Sequence, residues 1–348
     1  MEQLTAWLTG PESIEFRGGP VPQPGPGELL ISVGAAVTCG TDVKVYRRGG
    51  HPEMLEVPSP FGHELAGTIV SFGEAVEGWL EGERVVVSNS ASCGSCDFCA
   101  RGNENLCADL VYLNGAFSRY LVVPARFVER GVYRLPDHLG LAEAALSEPL
   151  ACVLRGIDQL APLSAERGVL YGAGPIGLLF TAVLAERGVE VVVADPNASR
   201  LELARSLGAC GTLEVERGVS QAERIRTRSL GERGFDFSID ATGVPKGWLD
   251  AVGSVRPGGR VSLFGGCAPG TRLELDSHRV HYEELTVMGA YHHRPTDFRA
   301  ALELLSSGRL ETDLLLSSQR PLEELEDALG DMLSRRAVKV VIRPHPDN

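Results

Sequence analysis

Four cysteines, Cys93, Cys96, Cys99 and Cys107, fall in the segment CGSCDFCARGNENLC, separated by two, two and seven residues. Four thiolates in so short a span can wrap one tetrahedral ion, and zinc is the usual occupant of such a set. Four protein ligands leave no open position, so the expected role is structural rather than catalytic. The rival reading, a redox or disulfide cluster, calls for an oxidising compartment.

A second set of metal-capable side chains is scattered: Cys39 in TCGTD, His63 and Glu64 in FGHEL, and Glu148 in SEPLA. Taken singly, each has a dull alternative. Cys39 reads equally as a small buried hydrophobe, His63 as a satisfied core histidine, and Glu148 as a helix-start carboxylate. Residue type alone leaves both readings open.

A third feature is Gly172-Ala173-Gly174-Pro175-Ile176-Gly177, which matches G-x-G-x-x-G. A strand-like run precedes it, a helix-like run follows, and Asp195 closes the next strand-like run. That context points to a dinucleotide-binding turn. Gly172 permits the tight turn, Gly174 lets a pyrophosphate approach the backbone, and Gly177 lets the helix pack against the strand. The helix N-terminus supplies free N–H groups, and Pro175 at its start costs no hydrogen bond. Asp195 is placed to accept hydrogen bonds from the adenosine ribose hydroxyls. Its charge repels a 2′-phosphate, which favours NAD over NADP, while Arg200 pulls the other way because an arginine there can accept that phosphate. The alternative is a glycine-rich turn in a similar fold that binds no dinucleotide.

These groups need scaffolds to position them. Residues 1–150 read as mostly β, with short apolar alternations at Leu29–Val37, Gly67–Phe72 and Arg84–Ser88 punctuated by glycine and proline. From about Ala165 the texture changes. Val169–Tyr171, Val189–Ala194, Phe235–Asp240, Arg260–Phe264 and Thr286–Met288 read as strands, and Pro175–Arg187 and Asn197–Leu207 as helices. Such alternation predicts an α/β fold with a doubly wound parallel sheet. Helices at Thr296–Ser306 and Leu322–Ser334 and a strand at Val338–Ile342 complete the chain.

Composition narrows the function. The chain has 348 residues, 43% hydrophobic and 23% charged, which fits a globular protein of two domains. A formal net charge of −13 disfavours nucleic-acid and anionic-membrane binding. The N-terminus lacks a basic region followed by an apolar one, so no export signal is expected. The longest nearly apolar run, Val169–Ala185, is broken by three glycines and a proline and is short for a membrane span. Eight cysteines without an export signal point to metal ligands and free thiols in a cytoplasmic protein.

Taken together, CGTDVKVY, PFGHELAGTIVSFG, the four-cysteine lobe, SEPLA, GAGPIG, Asp195 and DATG resemble, end to end and in order, the zinc-containing medium-chain alcohol and polyol dehydrogenases. The sorbitol and threonine dehydrogenases are the most similar subgroup, because Glu148 stands where alcohol dehydrogenases of the family carry a cysteine. The resemblance implies a GroES-like β domain over residues 1–150, completed by about 292–348 and carrying the lobe 93–107, and a Rossmann NAD-binding domain over 151–291. It implies two zinc ions per chain. One sits in the lobe; the other is catalytic, bound by Cys39 and His63, with Glu64 as ligand or near-ligand and Glu148 as ligand or water-bridged partner. Thr41 matches the hydroxyl that relays the substrate proton, and Asp42 the carboxylate that orients the zinc histidine. Ile176, Asp195, Arg200, Leu263, Phe264, Gly265, Ala290 and Tyr291 match positions lining the NAD site. The implied reaction is hydride transfer from a small-molecule secondary alcohol to NAD, giving a ketone, in a homotetramer or a dimer. Sugar alcohols, cyclitols, aminopolyols, sugar phosphates, threonine and simple secondary alcohols all fit these residues.

The sequence departs from the pattern at Lys44, which stands where the subgroup usually has a histidine that carries the proton outward. His292 and His293, in GAYHHRP, either border the cleft or form a loop pair without a role. The rival functions are a zinc-independent reductase of the same fold and a member that has lost turnover; retention of Cys39, His63 and Glu148 argues against the first.

Overall fold

Leu29–Val37 reads LLISVGAAV, with a single polar residue, and is buried along almost its whole length. A strand with no solvent face belongs in the middle of a sheet, and there the computed structural model places it. The structure describes residues 2–51, 53–216 and 219–345. The sheet runs in the order Val132–Arg134, Arg84–Val87, Leu65–Phe72, Leu29–Val37, Lys339–Arg343, Leu316–Pro321, with Tyr120–Val123 also paired to Leu29–Val37. Glu2–Gly10 and Ser13–Pro20 form a hairpin extended by Ser59–Pro60. The core between these layers includes Ile31, Ile69, Val85, Val340 and an edge-to-face pair, Phe61 and Phe117, with ring centroids 5.6 Å apart. Each such side chain contributes about 1.5–3 kcal/mol of burial.

These elements make up one of two compact units, residues 1–151, 293–308 and 315–348. The other comprises residues 152–292 and 309–314. Its six strands are all parallel, in the spatial order Gly211–Glu214, Glu190–Asp195, Arg167–Tyr171, Phe235–Asp240, Val255–Leu263, Thr286–Gly289. That is the 3-2-1-4-5-6 order of a dinucleotide-binding sheet. Val191, Val192 and Val193 are all buried, as a strand covered on both faces requires.

The structure extends or trims several expected elements. The strand expected at Arg260–Phe264 begins at Val255, running through Pro257-Gly258-Gly259, which hid it from a reading based on apolar runs. The helix expected at Leu322–Ser334 is a 3₁₀ turn, Leu322–Glu324, followed by the helix Leu325–Leu333. Two helices that carry site residues were not among the expected elements: Gly40–Arg48, and Ser147–Leu160, although the latter has apolar residues at helical spacing in Leu150, Val153, Leu154, Ile157 and Leu160.

Candidate active site and metal centres

Three neighbouring strands of the seven-stranded sheet deliver one cluster. Leu29–Val37 leads into Thr38 and Cys39; His63 and Glu64 immediately precede Leu65–Phe72; Lys339 opens the C-terminal strand. Backbone bonds from Val37 N–H to Glu64 O (3.0 Å) and from Thr38 N–H to Val340 O (3.0 Å) hold the three ends in register. Gly62, at φ +87°, is essential to the turn before His63, because a Cβ there would lie 2.5 Å from the Phe117 ring.

Cys39 is the N-cap of the helix Gly40–Arg48, and its Sγ accepts the Thr41 N–H at 3.4 Å. Asp42 closes the box, accepting the Cys39 N–H through Oδ2 at 2.8 Å. Its Oδ1 lies 3.0 Å from His63 Nδ1. One buried carboxylate thus fixes both neighbours and assigns the His63 proton to Nδ1, leaving Nε2 to act as a ligand. The ligand atoms of Cys39, His63 and Glu64 all lie within 4.8 Å of one another.

The electrostatics of this set suit a cation. Burial and the charge of Glu64 push the Cys39 thiol up. Burial works against charging His63, yet Asp42 and Cys39 outweigh it and hold the imidazole well above its ordinary value. Burial pushes Glu64 up to about 7 against the pull of Lys339. These are donors that retain protons a divalent cation would displace, and soft sulfur with imidazole and carboxylate suits zinc. Lys339 donates to both Glu64 oxygens, at 2.6 and 2.8 Å, and to Thr38 O at 3.0 Å.

Glu148 stands outside the mutual reach of Cys39, His63 and Glu64. It lies in the first turn of Ser147–Leu160, its charge acts on Glu64, and its Oε1 accepts the Asn89 Nδ2–H at 2.9 Å. Thr41 is half-buried in the first helical turn beside Cys39, while Lys44, one turn on, is exposed. The histidine pair divides: His293 is buried and lies 3.2 Å from Asn89 Oδ1, whereas His292 is only partly buried and has φ +56°.

In the lobe, the four sulfurs lie within 4.8 Å of one another, with Cys93–Cys99 at 3.9 Å, Cys96–Cys99 at 3.5 Å and Cys96–Cys107 at 3.9 Å. Sulfurs about 2.3 Å from a tetrahedral zinc are roughly 3.8 Å apart, so the cage fits the ion. The Ser95 and Cys96 N–H groups aim at Cys93 Sγ and lower it to about 6, while burial among the other sulfurs raises Cys99 to about 12. All eight cysteines are free thiols.

In the parallel-sheet unit, Gly174 caps the helix Pro175–Glu186, with Pro175 and Ile176 in its first turn. Gly172 has φ +97°, and a Cβ on Gly177 would lie 1.8 Å from Gly172 O. Nothing lies within 4 Å of a Cβ built on Gly174, so the backbone there is open to a phosphate. Asp195 ends its strand, accepting Ala173 N–H and Asn197 N–H at 2.8 Å each, one per oxygen. Each oxygen keeps a second lone pair for a hydroxyl. Arg200 is buried in the next helix. Leu263 ends its strand, Phe264 packs edge-to-face on Phe180 at 4.9 Å, and Gly265 approaches Gly243 closely. Ala290 and Tyr291 follow the last strand, and Tyr291 is exposed.

Lys339 and Asn89 join the site without belonging to any of its sequence motifs. Lys339 had a signal: it is one of three lysines in an arginine-rich chain and interrupts an apolar strand, AVKVVI. Asn89 had none.

Residues 25–137 match the model of the alcohol dehydrogenase GroES-like domain, and residues 175–307 that of the zinc-binding dehydrogenases. The chain is 31% identical to 2-dehydro-3-deoxy-L-galactonate 5-dehydrogenase of Pseudoalteromonas atlantica, covering 94% of this chain and 95% of that one. It is 32% identical to sorbitol dehydrogenase of Bombyx mori, covering 98% of each. A provisionally assigned zinc-binding dehydrogenase from Sinorhizobium meliloti, solved with NADP, superposes with a TM-score of 0.89 at 28% identity, covering 99% of this chain and all of that one. Among the described residues, no helix is long and apolar enough to cross a membrane.

Proposed function

Because this chain belongs to the zinc-containing medium-chain alcohol and polyol dehydrogenases, which oxidise an alcohol to a ketone, we propose that it acts on a secondary hydroxyl of a polyol or sugar acid and uses NAD. The substrate class is supported by the relatives, which include a sorbitol dehydrogenase and a sugar-acid dehydrogenase. The cofactor choice is supported by Asp195, whose carboxylate at the strand end favours ribose hydroxyls over a 2′-phosphate. The NADP in the Sinorhizobium protein is the opposing observation. Eight free thiols support a reducing, cytoplasmic setting.

The single observation that carries the reading is the convergence of Cys39, His63 and Glu64, with Asp42 locking the first two. In this reading those three hold the catalytic zinc, Glu148 stands by as ligand or water-bridged partner, and the lobe cysteines hold a second, structural zinc. When bound, zinc supplies a Lewis acid that lowers the pKa of an alcohol, and the dinucleotide supplies a hydride acceptor. The protein's part is positioning. Asp42 keeps the His63 proton on Nδ1. Thr41 takes the substrate proton at its hydroxyl and passes it towards solvent, where Lys44 is exposed. Gly172, Gly174 and Gly177 shape the turn for the pyrophosphate, and Asp195 orients the ribose.

The test is a panel of initial rates for zinc-loaded protein, followed by absorbance of the reduced dinucleotide. NAD and NADP are each paired with polyols, sugar acids, threonine and simple secondary alcohols. Turnover of a polyol or sugar acid with NAD is expected. Turnover confined to threonine or simple alcohols would overturn the substrate class, and preference for NADP the cofactor.

A further inference from the structure

Glu148 is held from behind. We propose that Asn89 and His293 are positioning residues for the catalytic metal: they anchor one oxygen of Glu148 and so set the direction of the other. This rests on the reading of Cys39, His63, Glu64 and Glu148 as the metal's surroundings.

The chain of contacts is short and wholly buried. Asn89 Nδ2 donates to Glu148 Oε1 at 2.9 Å, and Asn89 Oδ1 lies 3.2 Å from His293 Nε2. Only one arrangement of protons is self-consistent. A carboxylate accepts, so the amide must turn its NH₂ to Glu148 and its oxygen to His293. The imidazole must then carry a proton on Nε2 and donate it. Burial holds His293 below its ordinary pKa despite the charge of Glu148, so the ring supplies this bond as a neutral donor. The charge of Glu148 also reaches Glu64 and Lys339, so its placement bears on the whole set.

Both ends of this hydrogen-bonded chain are braced by further contacts. Asn89 lies between the strands Arg84–Val87 and Ser90–Ala91. Its carbonyl accepts the Leu113 N–H at 2.8 Å, while Ser88 Oγ donates to Ser90 O at 2.9 Å. The strands Ser90–Ala91 and Val111–Tyr112, which flank the four-cysteine lobe, pair directly beside it. The His293 ring packs on Phe298 at 5.4 Å, and Phe298 stacks on Tyr133 at 4.7 Å. Next to it, Asp297 caps the helix Pro295–Ser306 by accepting the Arg294 N–H at 2.8 Å. A buried amide that links a braced imidazole to one carboxylate suits orientation better than proton transport, because an amide does not shuttle protons near neutral pH.

The experiment compares full-length zinc-loaded wild type with Asn89→Leu, His293→Leu and His293→Gln. Leucine removes the hydrogen bonds at similar bulk; the glutamine amide can still donate to Asn89 Oδ1. Chelator titration reads the affinity of each zinc, and cobalt exchanged into the second site reports its coordination by visible absorption. Asn89→Leu and His293→Leu are expected to weaken the second zinc by about 10–100-fold and to shift the cobalt bands, with the lobe zinc unaffected. His293→Gln is expected to recover most of the affinity. Wild-type zinc affinity and cobalt bands in Asn89→Leu, with only thermal stability lowered, would overturn the proposal. If Asn89→Leu does not fold, the two His293 variants decide: equal zinc affinities would overturn it. A wild-type chain that binds zinc in the lobe alone would overturn the metal reading itself, and this inference with it.

Discussion

Lys339 places its ammonium on both oxygens of Glu64, at 2.6 and 2.8 Å, with 1% of the lysine side chain exposed and none of the glutamate. The two residues are 275 positions apart, and their contact joins the C-terminal strand to the candidate metal set. Removing one partner leaves a buried charge uncompensated, which costs about 3–5 kcal/mol, whereas replacing both by apolar groups is often neutral. Well above pH 7, where Glu64 is ionised, Lys339→Met should therefore lower the urea-unfolding free energy of the metal-free protein by up to that amount, and by less at lower pH, where Glu64 takes a proton instead. The double variant Lys339→Met/Glu64→Leu should recover much of it. Equal losses in the single and double variants would mean that the stabilisation comes from packing rather than from the pair.

The same cluster sets a pH dependence in the metal-free chain. Glu64 is raised from 4.5 to about 7 and His63 well above 6.5, so the folded state binds these protons more tightly than the unfolded state. Stability from such groups is full below the unfolded pKa and is lost as pH rises through the folded one. For Glu64 the window runs from 4.5 to about 7; His63 adds a loss that begins near 6.5 and extends upward. Unfolding free energy should fall across this range, and Glu64→Gln should flatten its lower part. Zinc binding should release protons, measurable as buffer-dependent heat in calorimetry. A metal-free chain whose stability rises between pH 5 and 7 would contradict this account.

Local chemistry made much of this arrangement readable in advance. The glycine turn, the strand ending at Asp195 and the four cysteines each announce themselves within a few residues. The partners that tune the site do not, because they come together only through sheet register. Nothing near Glu64 points to Lys339, and Asn89 lies in a short loop whose meaning depends on Glu148 and His293. The helix Gly40–Arg48 escaped notice for a different reason. Its N-cap is a cysteine rather than a serine or aspartate, and its apolar residues, Val43, Val45 and Tyr46, lie within a single turn, too short a run to establish a helical period.

Asp195 gives a test of cofactor choice. Its two oxygens already hold the turn through Ala173 and Asn197, so alanine would damage the loop as well as the ribose contact. Asp195→Asn keeps one acceptor and removes the charge. Loss of a hydrogen bond to a charged group costs about 1.5–3 kcal/mol, so kcat/KM with NAD should fall roughly 10–100-fold. With NADP the charge repulsion disappears, and the gap between the cofactors should narrow. An unchanged ratio would place the discrimination elsewhere, with buried Arg200 the next residue to substitute.

The two metal sets differ in what their loss should do. The lobe brings together four sulfurs, so a zinc there would be closed and structural, whereas the Cys39 set brings together three ligand atoms, so a zinc there would keep a position for substrate. Wild type should carry about two zinc ions per chain. His63→Ala should lose turnover and one zinc while the lobe stays loaded. Cys96→Ser should also lose one zinc, but its first effect should be on thermal stability, with the remaining folded enzyme still turning over. The Asp42→Asn variant separates orientation from ligation. All ligands remain, yet the charge that raises His63 is gone, so zinc affinity or activity should drop by about 10–100-fold and the His63 titration in the metal-free protein should move down. A fully active His63→Ala enzyme, or a single zinc confined to the lobe, would remove the catalytic metal from this site.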